Sequence, residues 1–157
     1  MLIQFENYLT FEVIYFWSNL GVLPFWLLLV LIPNSRITQI FVNSIIIPLI
    51  LASSYSYVFY QAILSEVSIF DFFTLYLSLE DLYTLFSLDS FLLLFWLHFL
   101  SLNLFLGSWV SRDGVKHNIS RGLVFLPLIL IYFTGPFGLV LYWLIRVFYA
   151  KKLGFHD

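Results

Sequence analysis

Long apolar segments with almost no charge constrain this chain more than any other feature. They cover residues 13–32, 37–63, 91–110 and 123–147. A helix needs about 20 residues to cross the hydrocarbon core of a bilayer, and each segment reaches that length. Lipid admits only helices and closed barrels, and segments of this length favour helices. The sequence therefore predicts an all-α polytopic membrane protein, a bundle of four transmembrane helices in a single domain over residues 1–157.

The composition agrees with a lipid environment. Of the 157 residues, 62% are hydrophobic and only 10% are charged, and the mean hydropathy is +0.98. A soluble domain carries about 25% charged residues, and a small globule leaves too much surface exposed to hide so many apolar side chains. The net charge of −2 offers no basic patch to nucleic acid. The composition thus excludes a soluble globule, a disordered chain and a nucleic-acid binder, and it makes membrane lipid the expected partner.

The segment between the second and third apolar stretches, residues 64–90, is less uniform. It sets acidic side chains among aromatic and aliphatic ones. Its apolar part, residues 67–79, has 13 residues and is too short to cross a bilayer. We therefore expect an interfacial or re-entrant segment between helices two and three. A fifth crossing is the alternative.

The basic residues separate the two sides of a four-helix bundle only weakly. One side would carry Arg36, Arg112, Lys116 and Arg121, and the other would carry Arg146, Lys151 and Lys152. The positive-inside rule then favours neither orientation strongly. We expect both ends of the chain on the side away from the cytoplasm, and we expect Arg146 to reach the membrane interface.

Three polar side chains inside the apolar segments require an explanation, because placing a polar group in lipid costs free energy. His98 is the strongest candidate for proton transfer, because imidazole is the side chain most often used for general acid–base chemistry. The alternative is a buried neutral histidine that is hydrogen-bonded to another helix. Asn103 and Asn19 are more typical of hydrogen bonds between helices. On a helical wheel Trp96, Asn103 and Gly107 share one face of the third helix.

Two further features lie at the end of the third segment and within the fourth. Arg112 and Asp113 follow the third segment directly and form either an interfacial site or a solvated helix end. Gly135 and Pro136 interrupt the fourth segment, and such a break is tolerated in lipid where it lines a cavity or packs against protein. The chain has no cysteine, and its three histidines lack the spacing of metal ligands, so we expect no metal site.

Several motifs together resemble one known family. Residues 95–107 resemble a W-x-H-x-x-A-x-D-L-F-x-G signature. Their sequence is Phe-Trp-Leu-His-Phe-Leu-Ser-Leu-Asn-Leu-Phe-Leu-Gly. Residues 135–139, Gly-Pro-Phe-Gly-Leu, resemble a G-P-x-G-L segment, and residues 78–80 resemble a short S-L-E element. The first segment and the pair at residues 112–113 resemble the same pattern. The family is that of the abscisic-acid-deficient-four-like membrane proteins, and the resemblance covers nearly the whole chain.

This resemblance implies carotenoid chemistry, because plant members of the family are associated with neoxanthin synthesis from violaxanthin. Opening the epoxide needs an acid at its oxygen and a base at a polyene proton, and this isomerisation needs no redox cofactor. The implied proton-transfer residue is His98, with Asp113 or Glu80 as its partner. The implied ligand contacts are Asn103, which would orient the ring-end oxygen, and Trp96, Asn19 and Arg112.

Departures from the family pattern leave the activity open. Asn103 stands where the family has aspartate, and Leu102 or Ser101 stands where the family has the preceding small residue, alanine. One hypothesis is an enzyme that isomerises a carotenoid or another isoprenoid within the bilayer. The other is a non-catalytic protein, either a polyene-binding protein or a small membrane subunit of an oligomer or larger complex. In both cases the expected location is a bacterial inner membrane or a plastid membrane.

Overall fold

Eight helices and no strand make up the part of the chain that the computed structural model describes, which is residues 9–42, 44, 46–65, 67–68 and 70–150. The prediction of an all-α fold is confirmed. The helices are α1 (Phe11–Leu31), α2 (Arg36–Phe41), α3 (Ile46–Ser65), α4 (Asp71–Thr74), α5 (Leu79–Phe86), α6 (Asp89–Lys116), α7 (Arg121–Thr134) and α8 (Pro136–Ala150).

Within these described residues, two helices are long and apolar enough to cross a membrane. They are α1, with 21 residues, and α6, with 28 residues. With a rise of 1.5 Å per residue, α1 is about 31 Å long and α6 about 42 Å, against a hydrocarbon core of about 30 Å. The first and third predicted spans thus coincide with helices of sufficient length, whereas the complete four-helix bundle stays a prediction.

The second predicted span is interrupted in the structure. α2 ends at Phe41 and α3 begins at Ile46. Ser35 starts α2, because its hydroxyl accepts the Thr38 backbone N–H at 3.1 Å, and the Thr38 hydroxyl donates to the Ile32 carbonyl at 2.7 Å. These bonds fix the turn after α1. α3 has 20 residues, but its described apolar part, residues 49–64, is shorter than a bilayer crossing requires.

The segment of the fourth predicted span forms two helices that fold back on each other. Gly135 links α7 to α8 with φ at +61°, a conformation that residues with a side chain rarely adopt. Gly138 then packs on α7, since an added Cβ there would lie 2.6 Å from the Pro127 carbonyl oxygen and against the Ile131 backbone. The two helices have 14 and 15 residues, so each is only about 21–23 Å long.

The contacts divide the chain into two compact units. Unit 1 comprises residues 1–20 and 49–99, and unit 2 comprises residues 21–48 and 100–157. The expectation of a single domain stays a prediction. In unit 1, apolar side chains of α1, α3, α5 and α6 pack in one core, which includes Ile14, Val58, Ala62, Leu85, Phe91, Leu94 and Leu97.

Small residues of α6 allow the close packing of unit 2. The Trp26 indole lies on Gly107, where an added Cβ would come within 2.6 Å of the ring, and it meets the Tyr132 ring edge-on at 5.4 Å between centroids. Val124 packs on Gly114 in the same way, since an added Cβ there would lie 2.9 Å from a Val124 methyl group. Both glycines therefore set how closely α1 and α7 approach α6.

Two short helices, α4 and α5, lie in the segment predicted to be interfacial. They have 4 and 8 residues, and Ser78 caps α5 by accepting the Asp81 backbone N–H. Large apolar side chains of this segment are exposed, among them Phe70, Phe73, Tyr76 and Tyr83. Exposed aromatic residues beside acidic ones suit a membrane interface, so the interfacial placement is retained as a prediction.

Candidate functional site

A buried cluster of four polar side chains joins α6 to α8 in unit 2. Asp113 lies in the last turn of α6 and His117 directly follows that helix, whereas Tyr142 and Arg146 lie one turn apart on α8. Asp113 Oδ2 accepts hydrogen bonds from Arg146 Nε at 2.7 Å and from the Tyr142 hydroxyl at 2.6 Å. His117 Nε2 lies 3.5 Å from Asp113 Oδ1 and 3.3 Å from Arg146 Nη2. We call this set the polar cluster.

The burial of the polar cluster indicates a structural role. Arg146 is 1% exposed and Asp113 is 9% exposed. Removing one partner of a buried ion pair costs about 3–5 kcal/mol, because it leaves the other charge without compensation. The expectation that Arg146 reaches the interface is wrong, since its guanidinium turns inward to Asp113. A catalytic role for Asp113 stays a prediction, and its carboxylate is already bound by two donors.

Asn103 lies beside the link between α7 and α8. Its side chain is 6% exposed, and a Cβ added to Gly135 would lie 2.6 Å from its Oδ1. Its Nδ2 has no hydrogen-bond partner among the described residues. A buried donor without a partner costs about 1–3 kcal/mol, so this group is able to bind an oxygen atom of a ligand or of water.

An open cleft lies in unit 1, between the first turns of α1 and α6. Its volume is about 480 Å³. Aromatic and aliphatic side chains form most of the wall, and two carboxylates stand among them. This is the usual makeup of a small-molecule site, in which a few polar groups are placed in an apolar pocket. The lining residues are Phe11, Glu12 and Tyr15 of α1 and Asp89, Leu92, Leu93 and Trp96 of α6.

Two of the predicted ligand contacts, Trp96 and Asn19, are brought together at this cleft. Trp96 Nε1 donates to Asn19 Oδ1 at 3.1 Å, and Asn19 Nδ2 donates to the Tyr15 carbonyl at 2.7 Å. The Tyr15 ring lies 5.9 Å from the Trp96 ring, and Phe99 stacks on Trp96 at 5.4 Å between centroids. Asn19 therefore orients the indole, and Trp96 contributes a fixed aromatic wall.

The other predicted residues lie on exposed surfaces. His98 faces Tyr55 of α3, with 6.5 Å between the ring centroids. Glu80 lies in the first turn of α5, and Arg112 donates to the Ser108 carbonyl of its own helix at 3.4 Å. None of these three is a lining residue of the cleft or, in the described contacts, a member of the polar cluster. Their functional roles stay predictions.

Sequence reasoning missed residues at both places. Glu12 and Asp89 were overlooked in the cleft, although each stands in the first turn of a long apolar helix, and that shared position was the available signal. Tyr142 and His117 were overlooked in the polar cluster. Tyr142 lies four residues from Arg146, and His117 lies four residues from Asp113. Nothing in the sequence predicts, however, that α8 packs against the end of α6.

Over the described part of the chain, the fold and these sites define a class of protein: all-α, with two helices long and apolar enough to cross a membrane, an aromatic cleft and a buried ion pair between helices. Residues 13–142 match the model of the family described as ABA DEFICIENT 4-like. The chain therefore belongs to the ABA4-like family, and the family predicted from the motifs is confirmed. No curated protein and no solved structure matches the chain. The match includes Tyr142 and ends before Arg146.

Proposed function

We propose that this protein is an integral membrane protein that binds a carotenoid or another isoprenoid within the bilayer and isomerises it by acid–base chemistry. The observation that carries the proposal is the cleft of unit 1, where an aromatic wall meets two carboxylates. Membership of the ABA4-like family supports the substrate class, because it suggests a protein related to neoxanthin synthesis.

The cleft suits the ring end of an isoprenoid. Its volume of about 480 Å³ falls within the range of about 300–1,000 Å³ that is usual for ligand sites. A whole carotenoid is longer than this space. We therefore place one end ring against Trp96 and Tyr15, and the polyene chain along exposed apolar side chains of α1 such as Phe16 and Leu20.

The two carboxyl groups of the cleft meet the demands of an epoxide isomerisation. One of Glu12 and Asp89 gives a proton to the epoxide oxygen while the C–O bond breaks, and the other takes a proton from the polyene end. One proton enters and one leaves, so the product is an isomer of the substrate. The step uses no oxidant, reductant or redox cofactor.

The roles that the family resemblance implied remain part of the proposal. His98 is accessible on α6 and is a second candidate for proton transfer, with Glu80 or Asp113 as its partner. The unpartnered Nδ2 of Asn103 is available to a ring-end oxygen, and Arg112 is exposed at the end of the same helix. The substitution His98→Ala separates the role of His98 from that of the cleft carboxyls.

The placement across a bacterial inner membrane or a plastid membrane is also proposed. Two helices, α1 and α6, are long and apolar enough for two of the four expected crossings. We assign the third crossing to α3, which has 20 residues. The fourth, residues 123–147, consists of most of α7 and α8, each of which is shorter than a bilayer core is thick.

A non-catalytic role is the second candidate, and a separate surface favours it. The side chains of Phe70, Tyr76, Leu77 and Tyr83 are 72–89% exposed along the segment of α4 and α5. Exposed apolar patches mark contacts with a membrane or with another protein. A small subunit that holds a polyene without changing it would use this surface to join a larger complex.

Expression in a host that makes epoxy-carotenoids tests the proposal. We expect the purified wild-type protein to carry a carotenoid absorption band and the host to accumulate an isomer of its pigment. Glu12→Gln and Asp89→Asn should each lower the isomer at least about tenfold while keeping the bound pigment, because an amide keeps the shape of the cleft but transfers no proton. Asp81→Asn, outside the cleft, is the matched control.

His98→Ala decides between the two acid–base assignments. Loss of the isomer in His98→Ala alone, with both cleft variants active, would move catalysis to His98. Bound pigment without any isomer in the wild type would establish the non-catalytic role instead. If the wild type neither binds nor changes a pigment, the carotenoid proposal fails.

A further inference from the structure

The charges of this chain are divided between its two units. All seven Lys and Arg residues fall within the sequence of unit 2. Seven of the nine acidic residues fall within the sequence of unit 1. Of the two others, Asp157 lies outside the described residues and Asp113 is neutralised by its ion pair with Arg146. Unit 2 is therefore a strongly basic part of a chain whose net charge is only −2.

The fold-back of α8 gathers most of these basic residues at one end of α6. Asp113, near the C-terminal end of α6, contacts Arg146 near the C-terminal end of α8. Val124, in the first turn of α7, lies against Gly114 of α6. The end of α6, the start of α7 and the end of α8 therefore meet. A single helix over residues 123–147 would instead have carried Arg146 to the opposite side of the membrane.

The end of α1 lies in the same region, beside the end of α6 and the start of α7. A small cavity of about 20 Å³ is lined by Leu29 and Pro33 together with Ser111 and Arg121. Arg36 follows Pro33 closely and begins α2. We call this region of unit 2 the basic end, and its exposed members are Arg36, Arg112, Lys116 and Arg121.

We propose that the basic end is the cytoplasmic face of the protein, bound to anionic lipid headgroups, and that α7 and α8 form a re-entrant hairpin from that face. This inference rests on the membrane placement within the proposed function. Lys and Arg are retained on the cytoplasmic side of membranes, where anionic headgroups attract them. Neither helix of the hairpin is long enough to cross alone. Residues 112–121 and the end of α8 then share one side, unlike in a four-span bundle.

Labelling of single cysteines tests this topology directly, because the natural chain contains no cysteine. The probe is a membrane-impermeant maleimide, applied to intact spheroplasts and to inside-out vesicles that contain the full chain. Suitable exposed positions are Ser87→Cys before α6, Ser120→Cys between α6 and α7, and Tyr149→Cys in the last turn of α8. We expect residues 120 and 149 to label in the vesicles and residue 87 to label in the spheroplasts.

The outcomes separate this inference from the proposed function. Labelling of residue 149 together with residue 87 would show that α7 and α8 cross as one span and would overturn the hairpin. Labelling of residue 120 in spheroplasts would overturn the cytoplasmic assignment. A chain that carbonate washing strips from the membrane would refute the membrane placement itself. Pigment binding is measured separately and has no effect on the labelling pattern.

A charge variant tests the role of the headgroups. We expect the combined substitution Arg36→Gln, Arg112→Gln and Arg121→Gln to weaken the orientation preference, so that residue 87 labels from both sides to within about twofold. Asp81→Asn is the control and should leave the preference intact, because acidic residues contribute little to orientation. An unchanged pattern in the triple variant would overturn the proposed contact with headgroups.

Discussion

Arg146 is the more deeply buried member of the ion pair between α6 and α8. Its Nε lies 2.7 Å from Asp113 Oδ2, and because Asp113 is only 9% exposed, little solvent compensates the carboxylate when the cation is removed. We expect Arg146→Gln to lower the free energy of unfolding by about 3–5 kcal/mol. Arg112→Gln, on an exposed arginine, should change it by less than about 0.5 kcal/mol. Unfolding of both variants in detergent micelles measures the difference, and equal losses would refute the assigned role of the pair.

Gly135 is constrained by both its backbone and its neighbour. Its φ of +61° disfavours any Cβ, and Asn103 Oδ1 lies 2.6 Å from the place of an added Cβ. We expect Gly135→Ala to cost about 1–3 kcal/mol from backbone strain and more from the contact with Asn103. Asn103→Ala removes that contact, so the cost of Gly135→Ala should fall in its presence. A double-mutant cycle measures the coupling, and an identical cost in both backgrounds would contradict the geometry.

For single residues, the sequence indicated which side chains are functional candidates, but not which residues they contact. His98, Asn103 and Trp96 stand out because polar and indole groups are rare inside apolar segments, and the structure shows Trp96 and Asn19 in contact. The environment of Arg146 was not predictable, because its partner lies 33 residues earlier on another helix. Its burial follows from tertiary packing and not from local hydropathy.

Helices α1 and α6 show what local sequence determines. Each follows from an apolar segment, and the structure starts α1 two residues earlier than predicted and extends α6 at both ends. The break between α2 and α3 was missed, because neither glycine nor proline stands at residues 42–45. The interruption at Gly135 was expected, but the reversal of direction was not, since it requires the contact of Gly138 with α7.

Gly138 fixes the α7–α8 hairpin, and Gly122 provides a matched control on α7. A Cβ at Gly138 meets backbone atoms of α7, which do not move aside, whereas a Cβ at Gly122 meets nothing within 4 Å. We expect Gly138→Ala to lower the free energy of unfolding by about 1–3 kcal/mol. Gly122→Ala should be neutral or stabilise the protein by up to about 1 kcal/mol, because alanine favours helix. The reverse order in thermal unfolding would contradict the packing of α8 on α7.

At the scale of the whole molecule, the features used in the proposals are divided between unit 1 and unit 2. Unit 1 holds the aromatic cleft with Glu12 and Asp89, and its sequence contains no Lys or Arg. Unit 2 holds the polar cluster and the basic residues, which on our proposal set the orientation. The family was predictable from motifs that are contiguous in sequence. The cleft was not, because its two walls are 77 residues apart between Glu12 and Asp89.

The proposed binding of the isoprenoid in the cleft of unit 1 is tested most directly by comparing two substitutions on α6. Leu92 lines the cleft and is 48% exposed, while Leu102 is 52% exposed and is not among the lining residues. The measurement is carotenoid absorbance per molecule of protein purified from a pigment-producing host. We predict at least about a tenfold loss for Leu92→Trp, which fills the cleft, and none for Leu102→Trp. Undiminished pigment in Leu92→Trp, with the protein folded, would contradict the account.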